Sequence, residues 1–178
     1  VCFGSADPAH ATLPAVKSLD KIPQAQQFQW TVIAGAANPD WPLLQQWQTE
    51  TKLNVTLLYH HGDVARLMSE HDFSIGAAGG MTWERCCIGL PSIVIPIAEN
   101  QKFNDDVLAH FQLCERLTLS DLSIPEKLAT ALQDLKINAD KYFSRGQAFI
   151  DGQGVPRLID LILQNNKPEQ PEFTDENS

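Results

Sequence analysis

The chain has 178 residues, of which 43% are hydrophobic, and its formal net charge is −9. This length and composition suffice to bury a full core, so we expect one domain. The acidic balance disfavours nucleic acid and anionic membrane surfaces, which need a broad basic face, and an anionic ligand would have to be held by local groups. The apolar runs are well short of the roughly 20 residues that span a bilayer, and no charged-then-apolar leader is present, so we expect a cytoplasmic protein without a membrane segment.

Short apolar or β-branched runs alternate with segments of helical periodicity along the chain. The runs predict six strands, at residues 1–4, 31–35, 54–59, 73–77, 92–96 and 115–119. In the intervening segments apolar residues recur at spacings of three and four, which predicts helices at 41–51, 63–71, 82–90, 100–113 and 125–135. Near-continuous apolar strands such as "SIVIP" indicate burial on both faces. We therefore predict a doubly wound, Rossmann-like α/β domain with a parallel sheet of about six strands.

The two ends of the chain depart from this alternation. Val1 stands directly at the start of a strand-like run, with no initiator methionine, which leads us to expect a piece of a longer polypeptide. Residues 165–178 are polar, with two prolines and one lysine against four acids, and predict a disordered tail or linker. The predicted domain therefore covers residues 1–164.

In a doubly wound sheet, ligands bind at the turns that follow the carboxyl ends of the strands. The most specialised of these turns is "GAAGGMT", residues 76–82, which we call the glycine turn. Gly79 and Gly80 lack a Cβ and can bring the main chain close to a phosphate, which would bind backbone N–H groups and the positive end of a helix dipole without a lysine. The same glycines would also serve an ordinary tight turn. No GxGxxG follows a strand, so a nicotinamide or flavin cofactor is not predicted.

Glu84 lies one helical turn beyond the glycines. An acid in the first turn of a helix is favourable through the dipole, which is a sufficient explanation if the site binds nothing. A carboxylate beside a diphosphate would instead have to face neutral donors, and the two hydroxyls of a ribose are such donors. Gly79, Gly80 and Glu84 together therefore predict a nucleoside diphosphate site.

The stretch "DFSIGAAGGMTWERCCIGLPSIVIPIAENQ", residues 72–101, resembles the carboxyl-terminal domain of the UDP-sugar hydrolases of pseudaminic acid biosynthesis, relatives of the MurG-type glycosyltransferases. "FGSADP", "VIAGAANP", "HHGDVARLMSEHD" and "DGQGVPRLIDLI" support the resemblance, which runs from Val1 to about Gln164. It implies the carboxyl-terminal half of a two-domain GT-B fold that holds UDP or a UDP-sugar. It also implies that the amino-terminal domain, whose histidine activates water for release of UDP from a 2,4-diacetamido-trideoxy hexose, is absent from this chain.

The resemblance carries roles to individual residues. It implies that Gly79, Gly80, Met81 and Thr82 bind the diphosphate through main-chain N–H groups and the Thr82 hydroxyl, and that Glu84 accepts from the ribose. It places His60, His61 and Val64 at the border of uracil, and the amides of Asn100 and Gln101, with Glu99 beside them, at the sugar. Gly4 and Ser5 would meet the distal phosphate or sugar, although "FGSADP" departs from the adjacent glycines that the family often has there.

The remaining reactive side chains receive structural interpretations. We assign no histidine a catalytic role, and we expect His10, His71 and His110 to be structural or solvent-facing. The four cysteines show no CxxC spacing and predict buried thiols in a reducing compartment rather than a zinc site or a disulfide bond. We expect neither a metal nor an organic cofactor.

Two alternatives to a hydrolase remain open. The donor-binding domain of a GT-B glycosyltransferase would share the same half-site, because acceptor chemistry belongs mostly to the other domain. A UDP-sugar-binding module without catalysis is the second alternative. We expect the chain by itself to be inactive.

Overall fold

A central parallel sheet organises the computed structural model, which describes residues 1–165. Its five strands are β1 (Gln29–Ala34), β2 (Asn54–Tyr59), β3 (Ser74–Ala77), β4 (Ser92–Ile95) and β5 (Glu115–Arg116). Strand β1 pairs with β2, and β3 pairs with β4, which pairs with β5. Cys2 bridges Ile33 of β1 and Gly76 of β3, so the first residues run between the two groups of strands. The order across the sheet is therefore β2, β1, Cys2, β3, β4, β5.

Eight α-helices lie within residues 1–165. They are α1 (Thr12–Leu19), α2 (Trp41–Glu50), α3 (Val64–Ser69), α4 (Met81–Ile88), α5 (Lys102–Phe111), α6 (Pro125–Ile137), α7 (Ala139–Phe149) and α8 (Gly154–Asn165). Short 3-10 helices lie at Pro23–Gln27, Glu99–Gln101 and Leu119–Ser123. Each of the five helices predicted from periodicity is confirmed within about two residues. Helices α1, α7 and α8 lie outside the segments for which periodicity predicts a helix.

The core lies on both faces of the sheet, as the apolar strands predict. Along β4, Ile93 and Ile95 belong to a core shared with α1 and α6, while Val94 between them belongs to a second core shared with α4 and α5. The helices pack in two corresponding groups: α1 contacts α2 and α6, whereas α4 contacts α3 and α7. This layering confirms the doubly wound α/β fold.

The first and last predicted strands are shorter in the structure than in the sequence prediction. The first is reduced to the bridges at Cys2, because Gly4 turns the chain away from the sheet with φ +97°. The last pairs only over Glu115–Arg116, because the Thr118 main chain donates to Asp121 and begins a capping box. Residues 166–178 of the predicted tail lie outside the described residues. No helix between residues 1 and 165 is long and apolar enough to cross a membrane.

Candidate functional site

The carboxyl ends of the parallel strands bring the predicted turns to one edge of the sheet. The turns after the first strand-like run and after β1 pack tightly together, and Ala37 N–H donates to the Ser5 carbonyl at 3.1 Å. A Cβ at Gly35 would lie 2.2 Å from the Ser5 main chain, so only glycine fits there. Gly4 adopts φ +97°, and Ser5 is exposed beside it. The structure thus fixes Gly4 and Ser5 at this edge.

The glycine turn presents unpaired main-chain donors. Ala78 N–H donates to the Ile95 carbonyl, but the N–H groups of Gly79, Gly80 and Met81 donate to no other residue in the described part of the chain. Gly80 is helical, with φ −55° and ψ −37°, so the backbone itself does not require glycine. A Cβ at Gly80 would meet nothing within 4 Å. The turn therefore faces open space at Gly80, and three successive unpaired donors at a helix start suit an anion.

Thr82 has a different environment from the one the sequence predicts. Its side chain is only 1% exposed. The hydroxyl donates to the Ala77 carbonyl at 3.2 Å and accepts from Arg85 Nη2 at 3.1 Å, and its N–H donates to the Gly79 carbonyl. The Thr82 hydroxyl is therefore not available for the predicted contact with a phosphate. Thr82 instead stabilises the glycine turn through these hydrogen bonds.

Arg85 is a buried residue that no sequence motif identifies. Its side chain is 3% exposed and donates to the carbonyls of Ala77 and Met81 as well as to Thr82. Burial lowers the pKa of its guanidinium from the usual value. From the sequence alone, Arg85 would be expected on the helix surface, as its neighbour Glu84 is. Only the packing of α4 on the sheet shows that the Arg85 side chain points inward.

Glu84 is exposed in the first turn of α4. Among residues 1–165 its carboxylate forms neither a hydrogen bond nor an ion pair. It is therefore available to accept hydrogen bonds from a ligand that lies over the glycine turn.

The turn between β4 and α5 flanks the glycine turn. The Gln101 side-chain oxygen accepts from Ile97 N–H at 3.0 Å, which fixes the amide, and its Nε2 lies 3.6 Å from where a Cβ of Gly79 would stand. Asn104 Nδ2 donates to the Ala78 carbonyl at 2.8 Å, a contact that no sequence motif predicts. Glu99 and Asn100 are exposed. The structure thus brings Gln101 next to the predicted phosphate donors.

Helix α3 begins at Val64, directly after the turn that follows β2. Val64, Met81 and Arg85 line a cavity of about 40 Å³, which has room for a few water molecules but not for a base. His60 and His61 do not line this cavity. His60 is exposed and adopts φ +48°, and His61 is half-buried. Of the three residues predicted to border uracil, only Val64 lines this cavity.

The other histidines have structural contacts. His71 bonds the Leu67 carbonyl and the Thr31 hydroxyl through its two ring nitrogens, which confirms its structural assignment. His10 is exposed, but its Nδ1 lies 2.8 Å from a carboxylate oxygen of Asp40, so it joins the first two turns. His110 packs edge-on against Phe111.

The cysteines of the chain are free thiols, and Cys86 and Cys114 are buried. Burial raises the pKa of Cys86 to about 11 and that of Cys114 to about 12, so both thiols are neutral near pH 7. Cys2 and Cys87 are half-buried. The prediction of buried thiols is therefore confirmed for two of the four.

Comparison with known proteins gives relatives of about twice this length. A curated relative, the spore coat polysaccharide biosynthesis protein SpsG of Bacillus subtilis (strain 168), is 25% identical over 168 residues, which are 93% of this chain and 49% of that protein. The structure of MurG from Acinetobacter baumannii matches with a TM-score of 0.66 at 20% identity, over 90% of this chain and 48% of that one. The kitacinnamycin glycotransferase matches with a TM-score of 0.70 at 18% identity, over 92% of this chain and 42% of that one.

These structural matches confirm the carboxyl-terminal half of a GT-B fold. The chain spans about half the length of the curated relative that it matches. The family model described as "Glycosyltransferase family 28 C-terminal domain" matches residues 3–162, which cover all the turns described above. The chain therefore belongs to the glycosyltransferase family 28 carboxyl-terminal domain family.

Proposed function

We propose that the chain is the UDP-binding half of a nucleotide-sugar hydrolase that releases UDP from a 2,4-diacetamido-trideoxy hexose in surface polysaccharide biosynthesis. One observation carries the proposal: three unpaired N–H groups, at Gly79, Gly80 and Met81, lie within one helical turn of the unpaired Glu84. This arrangement matches the chemistry of a nucleoside diphosphate, in which two phosphates adjoin a neutral diol. The similarity to SpsG, a spore coat polysaccharide biosynthesis protein, supports a role in surface polysaccharide biosynthesis.

The diphosphate would bind at the glycine turn. Its oxygens would accept from the three N–H groups, and the amino-terminal end of α4 would favour their charge. The open space in front of Gly80 admits a phosphate close to the main chain. Gly4 and Ser5, which lie on the neighbouring turn, are the proposed contacts of the distal phosphate.

The nucleoside would extend from the diphosphate toward α3. Glu84 would accept from the ribose hydroxyls, which is the arrangement that keeps its carboxylate directed away from the phosphates. The base would lie over the mouth of the cavity lined by Val64, bordered by His60 and His61.

The sugar would extend toward the turn before α5. Asn100 and Gln101 carry amides that both donate and accept, which suits a mixture of hydroxyl and acetamido groups. The Gln101 amide is held by Ile97 N–H and lies next to Gly79, so it is the better positioned of the two. Glu99 lies on the same 3-10 helix as both amides and would orient them.

The catalytic group would come from an amino-terminal domain of the parent polypeptide. SpsG is about twice as long as this chain, which supports such a second half. Helix α8 also exposes a run of apolar side chains that the described residues do not cover, at Val155, Leu158, Ile159, Leu161, Ile162 and Leu163. A packed amino-terminal domain is the partner that would bury surface of this kind.

A glycosyltransferase is the second candidate, and the family 28 match favours it. The two candidates share the donor site proposed here and differ in the acceptor. Water would be the acceptor in the hydrolase, whereas a sugar or lipid hydroxyl would be the acceptor in the transferase. A UDP-sugar-binding module without catalysis shares the same site and lacks both reactions.

Calorimetry and a product assay test the proposal together. We expect the chain to bind UDP more tightly than UMP, because the second phosphate adds contacts to the glycine turn, and to release no UDP from UDP-sugars by itself. Joined to the amino-terminal half of its parent, it should release UDP and a free sugar without any added acceptor. Release only when an acceptor is present would favour the transferase, and no release in either case would favour the binding module. Turnover by the chain alone, or equal binding of UDP and UMP, would contradict the proposal.

A further inference from the structure

Arg85 is a buried cation without a carboxylate partner. The five ion pairs formed among residues 1–165 do not include it. The titratable groups that influence it most are the thiols of Cys2, Cys114 and Cys86, and burial keeps the last two neutral near pH 7. The guanidinium stays protonated even when buried. Among residues 1–165 the guanidinium therefore has no ion-pair partner, and Glu84, its neighbour in sequence, is the carboxylate whose charge acts on it.

Such a charge is costly for the fold alone. Burial removes the guanidinium from water, and neutral carbonyl and hydroxyl acceptors recover only part of the lost hydration. Buried ionic groups can often be replaced by apolar side chains of similar volume with no loss of stability. The hydrogen bonds of Arg85 to buried acceptors offset part of this cost, and the charge itself is the feature that a further role would explain.

The placement of Arg85 supplies that role. Its donors reach the Ala77 carbonyl, the Met81 carbonyl and the Thr82 hydroxyl, all of which belong to the glycine turn. A Cβ at Gly76 would lie 2.2 Å from the Cys2 carbonyl oxygen and 2.9 Å from Arg85 Nη1, so the main chain of Cys2 requires glycine there and the guanidinium lies beside it. The cation therefore lies directly behind the three unpaired N–H groups.

The turns at this edge of the sheet lack other strong cations. Residues 4–10, 35–41, 59–64, 76–82 and 96–101 include neither lysine nor arginine, in a chain of net charge −9. A charge in a water-poor interior acts over a longer range than one at the surface, because less solvent screens it. Arg85 can therefore attract an anion at the glycine turn without contacting it.

We propose that Arg85 is a positioning residue of the anion site, whose buried charge holds the glycine turn in its donor arrangement and attracts the diphosphate through it. The inference rests on the proposed function, since it assumes that a diphosphate is bound there. It extends that function by assigning the positive charge of the site to a residue that does not touch the ligand.

The test compares three variants of the chain. Arg85→Met removes the charge and keeps much of the volume, Arg85→Lys keeps the charge but not the planar fork, and Arg145→Met removes an exposed arginine that donates to Gln112. We expect Arg85→Met to lower the affinity for UDP about tenfold. Uridine binding should be unchanged. The urea midpoint of unfolding without ligand should be unchanged or higher. Arg85→Lys should be intermediate, and Arg145→Met should match the parent chain.

Several outcomes would overturn the inference. If the parent chain binds UDP and Arg85→Met binds it equally well, the inference is wrong while the proposed function stands. If Arg85→Met and Arg85→Lys both fail to fold, or if Arg85→Met loses uridine and UDP affinity in equal proportion, Arg85 serves stability alone. Absence of UDP binding by the parent chain would overturn the proposed function and this inference with it.

Discussion

Replacement of Gly80 by leucine is expected to lower the affinity for UDP by more than about 100-fold while the chain stays folded. The backbone at Gly80 is helical, so it accepts any L residue, and a Cβ there meets nothing within 4 Å. The leucine side chain would instead occupy the open space at Gly80, next to the unpaired N–H groups at which the phosphates are proposed to bind. Calorimetry with UDP measures the loss, and urea unfolding without ligand checks the fold.

Gly154 provides a matched control for this substitution. It also has open space around its Cβ position and no positive φ, but it lies at the start of α8, outside the proposed site. Gly154→Leu should therefore bind UDP as the parent chain does. If Gly80→Leu retains UDP binding, the ligand does not approach the glycine turn, and the proposed phosphate position is wrong.

The second large effect is expected at Glu84. Glu84→Ala should weaken UDP binding by about 1.5–3 kcal/mol, the range for hydrogen bonds to a charged group, because the ribose hydroxyls lose their acceptor. Binding of 2′,3′-dideoxy-UDP should be unaffected by the substitution, since that ligand has no hydroxyls to donate. Calorimetry of both ligands with both proteins separates the hydrogen bond from any change in the shape of the site.

Glu126 serves as the control carboxylate. Like Glu84 it is an exposed acid in the first turn of a helix, but that helix is α6. Glu126→Ala removes the same charge and the same dipole interaction, so it should leave UDP affinity unchanged. Equal losses for UDP and its dideoxy analogue on Glu84→Ala would contradict the ribose assignment.

The fold could be predicted from sequence because its signals are local. Apolar strands such as "SIVIP" and helices with one-sided apolar spacing repeat along the chain, and together they determine the α/β layering. Cys2 could not be recognised as an isolated bridge, because its pairing depends on Ile33 and Gly76, which are distant in sequence. Helix α8 gives no core signal, since its apolar residues are exposed among the described residues.

Some residues of the candidate site could be recognised from sequence, and others could not. Gly80 and Glu84 are recognised from their own type and spacing, and both are exposed at the start of α4, where their binding roles stay predictions. Thr82 and Arg85 could not be interpreted from sequence, because the direction of each side chain depends on how α4 packs on the sheet. Once α4 is in place, the hydroxyl of Thr82 faces inward toward Arg85, and neither residue is free to touch a ligand.

An amide-resolved NMR titration of the chain with UDP tests the central claim most directly. A phosphate at the glycine turn would accept from the N–H groups of Gly79, Gly80 and Met81, so their proton resonances should move downfield and saturate together with the calorimetric binding curve. The amides of Gly152 and Gly154, before and at the start of α8, should not move. Saturable shifts confined to other residues, with these three amides unmoved, would contradict the account.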